Sequence, residues 1–381
     1  LVTTLSAAVV ALAFLVLAPS ASTQGLFTDE DCAMCHGGDD PDAGPVDTAA
    51  LAASSHADLA CMDCHTAIED LPHEEAMPQV DCGDCHWEET EAYTHHGRGI
   101  LGETEDLPSC TDCHGTHGIL PSSDRDSAVH PIHLSATCGT CHRDLDLMKK
   151  HEIQLKRPVE VYESSVHGKA ALGGVYVAAT CTDCHSTGGT AHQILGPGED
   201  NSSINHFNIP KTCGQCHKGV EADFWEGIHG KLVARGETDA PVCTHCHGEH
   251  GIISPSDPRS PVSTARVAEA TFSPCHESEV LNEKYGRDAG RLATFIDSYH
   301  GLKTKAGDTR VANCASCHGV HRILPSSDPS STVHPDNLRQ TCSDCHPGIS
   351  EKMAANPIHG LTGEGLRTAA ADIVEKIYII A

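Results

Sequence analysis

Ten times this chain sets two cysteines three residues apart and follows the second at once with a histidine. The copies are Cys32-Cys35-His36, Cys61-Cys64-His65, Cys82-Cys85-His86, Cys110-Cys113-His114 and Cys138-Cys141-His142, then Cys181-Cys184-His185, Cys213-Cys216-His217, Cys243-Cys246-His247, Cys314-Cys317-His318 and Cys342-Cys345-His346. They use every one of the 21 cysteines except Cys275. That residue belongs to an eleventh copy, 271–276, which keeps Cys275 and His276 and has Phe272 in the first cysteine's place. Cysteines at this density suit a disulfide framework, zinc sites or covalent haem. Only haem attachment calls for a histidine directly after each pair. Two thiols three apart reach the two vinyl groups of one porphyrin, and the adjacent imidazole is held beneath the ring as proximal iron ligand. The expected cofactor is haem c, eleven per chain, or ten if the Cys275–His276 site is empty.

The second iron ligand decides the chemistry. Histidine on both faces leaves no vacant position and permits only electron passage, whereas an open face permits reaction. Eighteen histidines lie outside the motifs, and the strongest candidates recur in register. One set, followed by glycine, is His96, His167, His229, His300 and His359; the first four precede Cys110, Cys181, Cys243 and Cys314 by one constant interval. A second set follows a motif and precedes phrases such as "ILPSSD": His117, His192, His250 and His321. A third lies shortly before the second motif of a pair: His130, His206 and His334. The N-terminal segment adds His56 and His73. These are fourteen candidates for at most eleven irons, so up to three are surplus. His95, His133, His151 and His245 do not recur in this way; five methionines, none repeating, argue against His/Met sites.

One constant shift carries His96 onto His229, Cys110 onto Cys243, His167 onto His300 and Cys181 onto Cys314. A shorter one carries His96 onto His167 and Cys110 onto Cys181. The chain divides into a three-haem segment at 25–91 and two four-haem units, at 92–225 and 226–360, the second holding the single-cysteine copy. Residues 1–24, with an apolar run from Ala7 to Ala18, read as a cleaved secretory signal, with an uncleaved anchor as the alternative. Residues 361–381 read as a helical tail. Export, to periplasm or extracellular space, agrees with haem attachment outside the cytoplasm; membrane association is the variant. Formal net charge is −28, and the many acidic side chains before Arg98 have no basic residue among them. That excludes nucleic acid as a partner, since phosphate binding needs a basic surface, and suits docking of a basic redox protein.

Two Trp, six Tyr and six Phe make a thin core for 381 residues. The expected architecture is an elongated tandem repeat of few short helices and much loop around stacked haems, with little or no β structure. Helices are expected at 219–233 and 278–298. The chain resembles bacterial multihaem c-type cytochromes of the cytochrome c3/c7-like electron-transfer group, through repeated x-H-G … C-x-x-C-H-G-x-H-x-I-L-P-S-S-D … C-x-x-C-H units across 92–360. The resemblance implies a multihaem cytochrome c fold, electron hopping between packed porphyrins, and exchange with other redox proteins. A membrane quinol-linked cytochrome b, or like chains in a filament, are further partners it allows. The competing expectation is a nitrite- or hydroxylamine-converting multihaem enzyme, with its active haem at Phe272-Cys275-His276.

Overall fold

The computed structural model describes residues 27–38, 44–73, 77–93, 96, 106–153, 157–287, 290–356 and 358–359. The expected leader and C-terminal tail lie outside them. Among the described residues no helix is long and apolar enough to cross a membrane.

The motifs fold into single turns of helix: Cys110–His114, Cys181–His185, Cys243–His247 and Cys314–His318. A helix this short does not stand alone in water. Each is closed by the residue before its second cysteine, which turns back to the N-cap. Asp63, Asp112 and Asp183 accept from the backbone N–H of Ala60, Ser109 and Thr180 at 2.8, 2.6 and 2.7 Å. His245 and Ser316 do the same for Val242 and Asn313, both at 3.2 Å. Cysteines three apart and the histidine after them thereby share one helix face. In three copies a glycine follows with φ near +80° (Gly115, Gly248 and Gly319), a turn that L side chains resist and that frees the chain to leave. Leu134–His142 carries the whole second motif of its pair, and Ile209–Gly214 and Leu338–Ser343 carry the first cysteine of theirs.

The repeated loop is pinned by one buried serine per copy. Ser127, Ser202, Ser260 and Ser331 donate to the carbonyls of Leu120, Leu195, Ile253 and Leu324 at 3.2, 3.0, 3.4 and 3.1 Å. Those carbonyls each lie three residues beyond His117, His192, His250 or His321, including the copy with four extra residues. The extra residues form a two-stranded ribbon, Ser186–Thr187 against Thr190–Ile194, turning on Gly188 and Gly189 at φ 67° and 80°. It is the β structure of the described residues.

Both expected long helices are broken. Lys218–Glu226 ends at Gly227 and Ile228–Val233 begins anew. Gly227 lies so close to the loop bearing His321 that a Cβ would stand 2.8 Å from its carbonyl oxygen. The second candidate splits into Glu279–Lys284 and Arg291–Ile296, with Gly286 and Gly290 at positive φ between them. Side-chain packing is sparse. The central apolar cluster is Val233, Ala240 and Val242, flanked by Ile209, Phe224, Trp225 and Leu232.

Candidate haem sites

The motif histidines do not stand alone. Ring centres of His36 and His73 are 5.8 Å apart, those of His86 and His56 5.9 Å, and those of His65 and His117 6.2 Å. His114 meets His192 at 5.9 Å, His185 meets His250 at 5.9 Å, and His217 meets His167 at 6.2 Å. In the C-terminal half His247 faces His321 at 6.1 Å, His276 faces His229 at 6.3 Å, His318 faces His359 at 6.2 Å and His346 faces His300 at 6.0 Å. The remaining motif histidine, His142, lies close enough to His96 to add to the effect of burial in lowering its pKa. Stacked rings in contact would be about 3.5–4 Å apart. Two imidazoles gripping one metal through bonds of about 2 Å on opposite sides have centres about 6 Å apart. The residues fit an iron porphyrin between each pair.

Protonation agrees with that use. His36 Nδ1 lies 3.0 Å from the Gly44 carbonyl and His359 Nδ1 lies 3.1 Å from that of Arg291; donating there leaves Nε2 bare for metal. Burial, followed by the facing histidine, lowers His65, His114, His167, His247, His300 and His318. His185, His229 and His276 are brought down to about 4, chiefly by burial. Folded values below the ordinary 6.5 mean that the unfolded chain binds more protons. Stability from these groups is therefore complete above about pH 6.5 and is lost as pH falls toward 4. Acid titration should release histidine ligation over that interval or below it, since metal binding acts in the same direction; loss on raising pH instead would contradict this.

The pairs beginning at Cys110, Cys181 and Cys243 draw on both of the first two histidine sets. In the pairs beginning at Cys61, Cys181 and Cys243 one backbone bond clamps together the segments that bear the two facing histidines. The N–H of Ser55, Val166 and Ile228, each one residue before His56, His167 or His229, donates to the carbonyl of Ile119, Ile252 and Ile323 at 2.8, 2.9 and 2.7 Å. Those acceptors lie two residues after His117, His250 and His321. The glycine after the histidine has a steric reason: a Cβ on Gly168, Gly230 or Gly301 would overlap the carbonyl oxygen of Tyr162, Phe224 or Phe295. Gly168→Ala should cost about 1–3 kcal/mol by overpacking and push His167 out of line with His217. Thermal melting and the fraction of high-spin iron check this; unchanged spectra would refute it. The ring pairs also cross the expected unit boundaries, since His65 meets His117 and His185 meets His250.

The third histidine set sits elsewhere. His130 and His334 accept through Nδ1 from the N–H two residues on, Ile132 and Asp336, both at 3.3 Å. Asn205 does the same for Phe207 at 3.1 Å, leaving His206 one residue out of register. His130 packs on His133 and Tyr176, and His206 on Phe207 and His245. His133 Nε2 lies 2.9 Å from the Arg125 carbonyl, and His151 bonds Asp106 at 2.6 Å. The second copy keeps that last tie by other means, through Lys284 to Asp239 and Tyr285 to Glu237. His95 is outside the described residues.

Consecutive motifs are neighbours along the whole series. Within pairs, burial raises the thiols of Cys64, Cys113, Cys184, Cys246 and Cys317, and cysteines of the following motif add to it: Cys82 and Cys85, Cys138 and Cys141, Cys213 and Cys216, Cys275, and Cys342 and Cys345. Between pairs, first cysteines meet: Cys32 with Cys61, Cys82 with Cys110, Cys138 with Cys181 and Cys213 with Cys243. Motif imidazoles approach at the same junctions, His36 to His65, His86 to His114, His142 to His185 and His217 to His247. His276 and His318 continue the pattern past Phe272. With haem attached, these sulfurs would be thioethers with no proton to lose. The capping role of the residue before the second cysteine, and which motif each recurrent histidine faces, escaped sequence reasoning; the recurrent Asp of "CTDCH" was the available signal for the first.

Comparison with known proteins agrees. The chain is 23% identical over 360 residues to the C-type polyheme cytochrome OmcB of Geobacter sulfurreducens, covering 86% of this chain and 44% of that protein. It is 24% identical over 188 residues to the multiheme cytochrome MtrA of Shewanella baltica, 47% of this chain and 54% of that one. The chain spans about half the length of these curated relatives. No protein-family profile matches it, and no solved structure does. Ten complete attachment motifs, paired imidazoles at metal-bridging separation and this kinship identify the chain as a bacterial multihaem c-type cytochrome.

Proposed function

We propose that this chain is an exported electron relay of eleven bis-histidine haems c, ordered in space as their motifs are ordered in sequence. One observation carries the reading: ten motif histidines each face a histidine of their own, His142 lies near His96, and each motif adjoins the next. Bound there, iron porphyrin takes up and gives back single electrons. The cysteines hold each group covalently, the two imidazoles saturate its metal, and the clamped loops fix the spacing between steps. In this assignment the distal ligands are His73, His117, His56, His192, His96, His250, His167, His321, His229, His359 and His300, in motif order. His130 and His334 are left to close turns, and His206 to pack on Phe207 and His245.

Exchange partners are redox proteins, with a basic face suited to the acidic stretch before Arg98. The enzymatic alternative needs an open iron face, and the His276 position offers His229 opposite instead. Purified ferric holoprotein should therefore show six-coordinate low-spin spectra throughout and should not turn over nitrite or hydroxylamine. A high-spin fraction near one iron per chain, with turnover, would overturn the reading.

A further inference from the structure

The Phe272 copy differs from its siblings by more than a lost cysteine. Ser127 to Cys138, Ser202 to Cys213 and Ser331 to Cys342 are equal intervals, whereas Ser260 to Phe272 is longer by a single position. All four serines make the same loop bond, so their register is fixed. The extra residue is absorbed in a π-helical stretch, Val267–Phe272, directly before the motif. Single-turn π-bulges of this kind are frequent at functional sites. Beyond the bulge Cys275 adjoins Cys246, and His276 faces His229. Half-buried Phe272 lies 5.7 Å from the His276 ring, on a stretch packed against the helix Cys314–His318. It takes the junction place that sulfur fills at the other steps.

The surroundings change in one direction. The Arg287 guanidinium lies 3.3 Å from His276 Nδ1, and buried Asn282 donates to the His276 carbonyl at 2.9 Å. In the register that sets Cys275 on Cys141, the first copy has Ile153 and Met148 at these places. A thioether forms when a cysteine S–H adds across a vinyl C=C: sulfur bonds one carbon, hydrogen the other, and the double bond is consumed. One cysteine consumes one vinyl group and leaves the other conjugated with the ring, drawing electron density from it. A fixed cation beside the proximal imidazole disfavours the more positive ferric state.

We propose that the ninth position carries a singly attached haem that Phe272 and Arg287 make the most easily reduced in the relay, so that an electron entering the chain comes to rest there. This rests on the reading that all eleven motifs are loaded.

The test is an equilibrium redox titration of the holoprotein followed at the α band. A retained vinyl group shifts that band to longer wavelength, which separates one haem from the others. The long-wavelength shoulder should develop first as the potential is lowered. In Arg287→Gln it should develop later, at lower potential, while Arg287→Lys keeps the charge and its early onset. Phe272→Cys should abolish the shoulder. Intact mass keeps the two readings apart. A mass with ten haems defeats the fully loaded reading and this proposal together. Eleven haems with a shoulder that develops with or after the bulk defeats this proposal alone. Arg287→Gln with eleven haems and an unmoved shoulder removes Arg287 from the account.

Discussion

Chain produced without haem attachment should fail to fold. In the described structure the buried apolar side chains are few and scattered, several of them alanine, and the one central cluster has three members. The motif helices are short, most of them single turns, and isolated peptide does not sustain them. Conformational entropy of about 1–2 kcal/mol per ordered residue opposes folding throughout. Porphyrin faces would supply the missing apolar contact, and iron held between facing imidazoles would tie together segments far apart in sequence, as the pair His185 and His250 illustrates. Haem-free protein is therefore expected to give a coil-like far-ultraviolet dichroism spectrum and no cooperative thermal transition. Loaded protein should melt cooperatively. A sharp transition in the haem-free chain would mean that side-chain packing suffices.

His321→Ala should convert one haem to the high-spin state, the one attached at Cys243 and Cys246. His321 faces His247 at 6.1 Å, and it belongs to the loop that follows the next pair's first motif, Cys314–His318. The Ile228 N–H bond to the Ile323 carbonyl involves backbone alone, so the variant removes the ligand and keeps the clamp. Ile228→Pro makes the complementary change. Pro is tolerated at the first position of the helix Ile228–Val233, but it removes the donor and costs about 1 kcal/mol. It should loosen His229 and His321 together and so disturb two neighbouring sites. Visible and electron paramagnetic resonance spectra report the spin states. An unchanged low-spin spectrum in His321→Ala would show that another group ligates that iron.

Motif chemistry was plain in the sequence because haem attachment demands fixed residues at fixed spacing. Both recurrent histidine sets could be found the same way. Recurrence alone does not distinguish a repeated ligand from a repeated turn: His130 and His334 each close through Nδ1 a turn that Asn205 closes equally well. Nor could spacing tell which motif each histidine faces. His117 follows the His114 motif by three residues yet meets His65, because the clamp to Ser55 carries its loop back to the preceding pair. The break at Gly227 was hidden in a helical pattern, since its cause is the approach of the loop beyond His321. The insertion before Phe272 was visible as a slip in the offset between the two copies, but its form as a π turn was not.

The central claim is an unbroken series of loaded sites, and the intact mass of the exported holoprotein tests it most directly. The account predicts one species carrying eleven covalent haems and no free thiol. A species with ten haems and a free Cys275 would break the series between His247 and His318 and contradict it.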